Sequence, residues 1–227
     1  MKLSEQIKEK MEGANQRFWA GDNISAWLAP GDKEKLIDEA TEAFEGVLDS
    51  LLIDRVNDPN SAGTARRLAK MYFNEIMSGR YDSKPQATAF PNIGDQAYHG
   101  LLVVRSELKS MCSHHHQPVT GVAYIGVIPG EKVIGLSKYT RIAQWCARRG
   151  TLQEELCNDI AREIMKACDT DNVAVYIQAT HGCCENRGIG AHSSLTQTTV
   201  LHGEFNNADV KKEFFDNVNL QQQFAPR

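Results

Sequence analysis

Two β-branched runs, "GLLVVRS" from Gly100 and "GVAYIGVIP" from Gly121, restrict the fold of this chain more than any other feature. Apolar residues roughly alternate along both, the period of a strand half-buried in a sheet. The segment between them is then a connection between strands that look antiparallel. It holds "SMCSHHHQPVTG", with three consecutive histidines beginning two residues after Cys112.

Helical periodicity surrounds this pair. Upstream, "EKLIDEATEAFEGVLDSLLI" sets Leu36, Ala40, Phe44, Val47, Leu48 and Leu51 on one stripe, the mark of an amphipathic helix. "VNDPNSAG" is turn chemistry. "TARRLAKMYFNEIMSG" then predicts a second helix, with Gly79 in the position after its end. "RYDSKPQATAFPNIGDQ" reads as an irregular loop. Downstream, "KVIGL" is a further short strand. Ser137 is placed to cap a helix through "KYTRIAQWCARR" that Gly150 ends. Thr151 and Glu154 have the spacing of a capping box opening the next helix. "NVAVYIQAT" and "SLTQTTVLHGEF" read as strands, and a last amphipathic helix runs from about Asp209 to Leu220. Helices, strands, a helical pair, strands and a helix in that order predict an α+β fold: a largely antiparallel sheet with helices packed on one face. Residues 1–30 read as a loosely tied N-terminal arm, bounded by Pro30 and Gly31.

At 227 residues and 41% hydrophobic, the chain is large enough for a substantial core. A net charge of −4 argues against a nucleic-acid-coating surface. No run of eighteen apolar residues occurs, and the charged start "MKLSEQIKEKMEGANQRFWAGDN" lacks the apolar stretch of a secretory signal, so a cytoplasmic location is expected. In that reducing setting, six cysteines point to burial or metal rather than to disulfides. Cys146, Cys157 and Cys168 fall inside helical patterns and read as core. Cys112, Cys183 and Cys184 lie in polar, histidine-containing stretches.

Cys112 and His115 have metal-ligand spacing, and "ATHGCCENRG" adds His181, Cys183 and Cys184 after a strand. Thiolate with imidazole favours zinc over magnesium or calcium. Spacing leaves two metal readings open. Cys112, His115 and Cys183 could leave zinc an open position, or His114, His116, His181 or Cys184 could close a structural site. The stretches also suit a polar loop with no metal. Lys138 and Arg141, three apart at a helix start, share a face where backbone N–H groups favour anions. With Arg187 and Arg67 they form either a phosphate site or ordinary surface charge. No phosphate-binding glycine loop ending in Lys-Ser/Thr exists here. Glu154 is either the return partner of a helix cap or a carboxylate for a guanidine-like edge such as that of guanine.

In "TARRLAKMY", "SMCSHHHQP", "VIGLSKYTRI", "RRGTLQEEL", "ATHGCCENRG" and "SSLTQTTVLHGEF", the chain resembles the GTP cyclohydrolase I family, of the tunnelling fold, over about Glu34 to Phe215. The resemblance implies a catalytic domain over residues 31–227, helical at 34–80, with a tunnelling-fold core at 98–222. It implies one zinc ion per subunit held by Cys112, His115 and Cys183, with His114 and His181 as catalytic histidines. Glu154 would grip guanine with Gln153 beside it; Ser137, Lys138, Arg141, Arg187 and Arg67 would surround the triphosphate of GTP. It further implies a decamer of two pentamers with active sites at subunit boundaries. The product, 7,8-dihydroneopterin triphosphate, would lead towards folate, biopterin or 7-deazaguanine compounds. The chain departs from the family pattern at Ser113, His116, Cys184 and Gly190, none a matched ligand or base. Two alternatives stand beside this reading: a non-catalytic ring-forming scaffold with a closed zinc site, and a same-fold enzyme for another purine or pterin.

Overall fold

The computed structural model describes residues 1–224 and divides into two compact units. The first comprises Met1–Ser83 with Arg148–Gly150. Its helices are α1 (Leu3–Gly13), α2 (Asp32–Ser50), α3 (Thr64–Met71) and the short α4 (Ser78–Tyr81), with a π-helical turn at Tyr72–Ile76 between the last two. Ile7 and Met11 of α1 pack with Ile24, Leu36, Ile37, Ala69 and Phe73 into one apolar cluster.

Residues 1–30 are therefore folded rather than loosely tied. Leu3, Ile7 and Met11 recur every four residues, an apolar stripe that the surrounding Lys and Glu residues obscure in the sequence. The segment after α1 is stitched down by polar groups. The Arg80 guanidinium donates to the carbonyls of Phe18 and Asp22, each at 3.0 Å, and Asn23 Nδ2 donates to those of Gly79 and Asp82, each at 2.8 Å. Gly79 does not end the second helix, which passes through the π turn into α4. Its carbonyl is the acceptor for Asn23 instead.

The second unit, Lys84–Ala147 and Thr151 onward, carries the sheet. Strands β2 (Leu102–Met111), β3 (Pro118–Val127), β5 (Val173–His181) and β6 (Thr196–Leu201) lie in the order β2-β3-β5-β6, each pair antiparallel. The segment read as an irregular loop contains β1 (Ala89–Pro91), which pairs with β4 (Lys132–Ile134) in a separate two-stranded ribbon.

Alternation along the strands builds two cores from one sheet. Ile125, Val127, Val173, Val175 and Ile177 meet α5 (Leu136–Ala147) and α6 (Gln153–Cys168), whose Ile142, Leu156, Ile160 and Ile164 are buried. Cys146, Cys157 and Cys168 are fully buried in that layer. Tyr124, Ala174 and Tyr176 point the other way and are covered by Phe205 and by Phe214 and Val218 of the C-terminal helix. That helix, α8 (Ala208–Phe224), follows the one-turn α7 (Gly182–Glu185) and β6. Among the described residues, no helix is long and apolar enough to cross a membrane.

Candidate metal centre and active site

The β2–β3 connection is tied at its base. Cys112 N–H donates to Gln117 O and His116 N–H to Cys112 O, both at 2.9 Å. His116 adopts a left-handed φ of 51°, which lets the chain reverse within this short span. Cys112 is thereby buried at the end of β2, while His114, His115 and His116 stand in solvent.

Strand pairing brings the second group of ligands to the same place. Val119 faces His181 across β3 and β5, so the end of β5 lies beside the hairpin connection, and α7 follows at once. Gly182 permits this approach. A Cβ there would sit 3.0 Å from Pro118 O, 3.1 Å from Asn186 Nδ2 and 3.2 Å from Pro118 Cδ.

As a result, ligand atoms of Cys112, His115 and Cys183 all lie within 4.8 Å of one another. Zinc–ligand bonds of about 2.0–2.3 Å span such a group after small side-chain rotations. Among the described residues no fourth Cys, His, Asp or Glu joins the cluster. His114, His116, His181 and Cys184, the possible fourth ligands, stay outside it. Burial, followed by the neighbouring Cys112 and Cys184 thiols, pushes the Cys183 thiol up to about 11. A cation bound there would favour the Cys183 thiolate.

His181, the last residue of β5, is half-buried, and its Nε2 lies at hydrogen-bond distance, 2.8 Å, from Gln153 Oε1. Burial lowers its affinity for a proton, and the charges of Glu154 and Glu185 work against that shift. Gln153 opens α6 and is 5% exposed. Glu154 beside it is exposed and does not cap the helix. The Thr151 hydroxyl donates instead to Glu155 at 2.8 Å, and α6 has Leu152 at its N-cap, so the expected capping box between Thr151 and Glu154 does not form. Glu154 is left with no hydrogen-bond or ion-pair partner for its carboxylate among the described residues.

The cations divide. Arg187 Nη1 donates to His115 Nε2 at 2.8 Å, against the metal cluster. Ser137, Lys138 and Arg141 lie in the first half of α5, whose last residue, Ala147, accepts from Ser110 Oγ at 2.7 Å near the hairpin end. At ~1.5 Å per residue, Ser137 is about 15 Å up the helix from that contact. Arg141, six residues from Ala147, is about 9 Å along the helix from it, and among the described residues no hydrogen bond or ion pair joins any of the three to the metal cluster. Arg67 belongs to the first unit, where its guanidinium donates to Asn60 O at 2.8 Å and Thr64 Oγ1 at 3.1 Å.

Glu185, whose charge acts on His181, and Thr198, which accepts from Gln153 Nε2, were not singled out by the sequence. Glu185 follows His181 by four residues, on α7. Thr198 is one of several threonines on β6, and only the strand's alternation marks it as facing α6.

An α+β chain with two thiols and an imidazole gathered at one sheet end, beside an oriented histidine, has the architecture of a metal-dependent enzyme. The profile of the family described as GTP cyclohydrolase I matches residues 40–219. The chain is 37% identical over 195 residues to the GTP cyclohydrolase 1 of Flavobacterium johnsoniae, covering 85% of this chain and 86% of that one. It is 39% identical over 180 residues to that of Aeromonas salmonicida, covering 76% and 81%. A solved apo structure of archaeosine synthase QueF-Like is similar over 44% of this chain and 90% of that one, at 17% identity and a TM-score of 0.37, too little to carry an inference. The chain belongs to the GTP cyclohydrolase I family, and it is an enzyme.

Proposed function

We propose that this chain converts GTP and water to formate and 7,8-dihydroneopterin triphosphate, with one zinc ion per subunit held by Cys112, His115 and Cys183. The observation that carries the reading is the three-membered ligand cluster with His181 at the adjacent strand end. Its donor set fits zinc, and three protein ligands are the number found in catalytic zinc sites. Zinc held there would lower the pKa of a bound water towards ~7 and so supply a nucleophile at neutral pH.

The chain's own residues do the rest. His181 protonates N7 of the purine, making C8 electrophilic towards water. The imidazole ring opens, and a second hydration releases C8 as formate. The ribose then opens, rearranges and closes onto the freed amine. His114, exposed on the hairpin connection, moves protons in these steps. Glu154, freed from capping, accepts from N1–H and the 2-amino group of guanine. Arg187, Ser137, Lys138, Arg141 and Arg67 hold the triphosphate, which leaves unchanged.

The distance along α5 between Ser137 and the metal end supports a pocket completed by a second copy, as in a decamer of two pentamers. A closed structural site is disfavoured, because no fourth ligand joins the three. The test is to incubate the zinc-loaded protein with GTP and measure formate together with pterin fluorescence after oxidation. Both are expected in equal amounts; zinc-loaded protein that yields neither overturns the proposal.

A further inference from the structure

We propose that Gln153 is a positioning residue that fixes the tautomer of His181, so that His181 exchanges protons with the substrate through Nδ1 alone. This rests on the reading of His181 as the proton donor, and it gives Gln153 a different task from contact with the purine.

The argument starts from the two unlike ends of a carboxamide, an acceptor oxygen and a donor nitrogen. The Gln153 side chain is buried between α6 and the sheet, 5% exposed. Its Nε2 faces Thr198 Oγ1 at 3.1 Å, Thr196 O at 3.3 Å and Ile177 O at 3.4 Å. Two of these are backbone carbonyls, which only accept. Flipping the amide would set its oxygen against both of them and strand buried polar groups. The orientation is therefore fixed by β5 and β6, not by the histidine.

With the nitrogen so placed, Oε1 is the atom 2.8 Å from His181 Nε2. An amide oxygen cannot donate, so His181 Nε2 must carry the hydrogen. Neutral imidazole has one N–H, so the remaining lone pair is on Nδ1. Both ends of Gln153 are then engaged, Nε2 by the sheet and Oε1 by His181. Being neutral, the amide orients the ring without adding a charge that would hold its proton. A carboxylate at this position would face two carbonyl oxygens and bind the imidazolium tightly.

Three variants of the zinc-loaded protein test this: Gln153→Ala, Thr198→Val and the double substitution. Partners of this kind are worth about 10–100-fold in activity. Gln153→Ala should lower kcat by that factor and leave the KM for GTP within about twofold. Thr198→Val should lower kcat by about threefold, and adding it to Gln153→Ala should change nothing more, because Thr198 acts only through the amide. A raised KM with unchanged kcat, or additive losses in the double variant, would overturn the proposal.

An independent readout needs no turnover. Nitrogen NMR of histidine-labelled protein, with the His181 signal identified by its loss in His181→Ala, should show Nε2–H and a bare Nδ1. A neutral ring that carries Nδ1–H and a bare Nε2 in the wild-type protein sinks the proposal even if every kinetic result agrees. Should Gln153→Ala fail to fold, Thr198→Val and the wild-type tautomer still decide. Wild-type protein that releases no formate from GTP would refute the proposed function, while the tautomer measurement would still judge this inference.

Discussion

The two ends of α5 differ in what one chain can accomplish there. Near its last residue, hairpin, strand end and helix start converge, and Cys112, His115, Cys183, His181 and Gln153 are all in place. Near its first residue, Ser137, Lys138 and Arg141 face no counterpart of that chemistry. Ser137 and Arg141 are exposed, and among the described residues none of the three side chains makes a hydrogen bond or ion pair. One end is a finished centre; the other is half of something. On the proposed function, such a chain supplies reaction chemistry near the last residue of α5 and anion binding near its first. On that reading a whole pocket draws on two copies.

The largest expected effect lies at the finished end. Cys183→Ala removes one of two sulfurs, so zinc content should fall well below one per subunit and formate release by more than about 10³-fold, since the site's chemistry depends on the ion. Metal analysis beside the formate assay checks both. Near-normal turnover would break the comparison by moving the reaction elsewhere. His181→Ala should keep the zinc and lose about 10²–10⁴ in kcat, the usual worth of a positioned acid or base.

The unfinished end is tested by mixing. Lys138→Ala removes a charge-assisted contact worth about 1.5–3 kcal/mol, so kcat/KM should fall roughly 10- to 150-fold, mostly through KM. Refolding equal amounts of Lys138→Ala and His181→Ala chains together should restore activity to about a quarter of wild type, if each symmetric pocket takes one residue from each of two neighbours. A pocket made within one chain would show no recovery.

How much of this could be read beforehand depends on how local each signal is. Strands β2, β3, β5 and β6 follow from alternation over a few residues. Residue type and short spacing marked Cys112, His115 and the cysteines after β5 as candidates, and the family resemblance selected the trio that the fold gathers. Contacts between distant segments did not show. The bond from Gln153 to His181 depends on the β5–β6 register and on where α6 begins. The second core under α8 joins Tyr124 and Tyr176 to Phe214, residues whose facing is set only once the sheet exists. Helix α1 was hidden because a narrow apolar stripe among charges resembles a solvated arm until α2 and α3 cover it. The start of α6 misled for a related reason: Thr151 and Glu154 match a capping box by spacing, but the helix begins one residue later than that motif needs.

That displacement yields the smallest effect and sharpens the finished end further. The Thr151–Glu155 hydrogen bond at 2.8 Å is structural, so Thr151→Val should cost about 1 kcal/mol of stability and leave the KM for GTP unchanged. Glu154→Gln should do the reverse, barely moving the unfolding midpoint while raising KM, because an exposed carboxylate with no cap to make contributes through the ligand it meets. Paired denaturation curves and steady-state kinetics separate the two. If Glu154→Gln destabilises the fold and spares KM, Glu154 serves the helix after all, and the guanine-binding half of the centre must be sought on a different side chain.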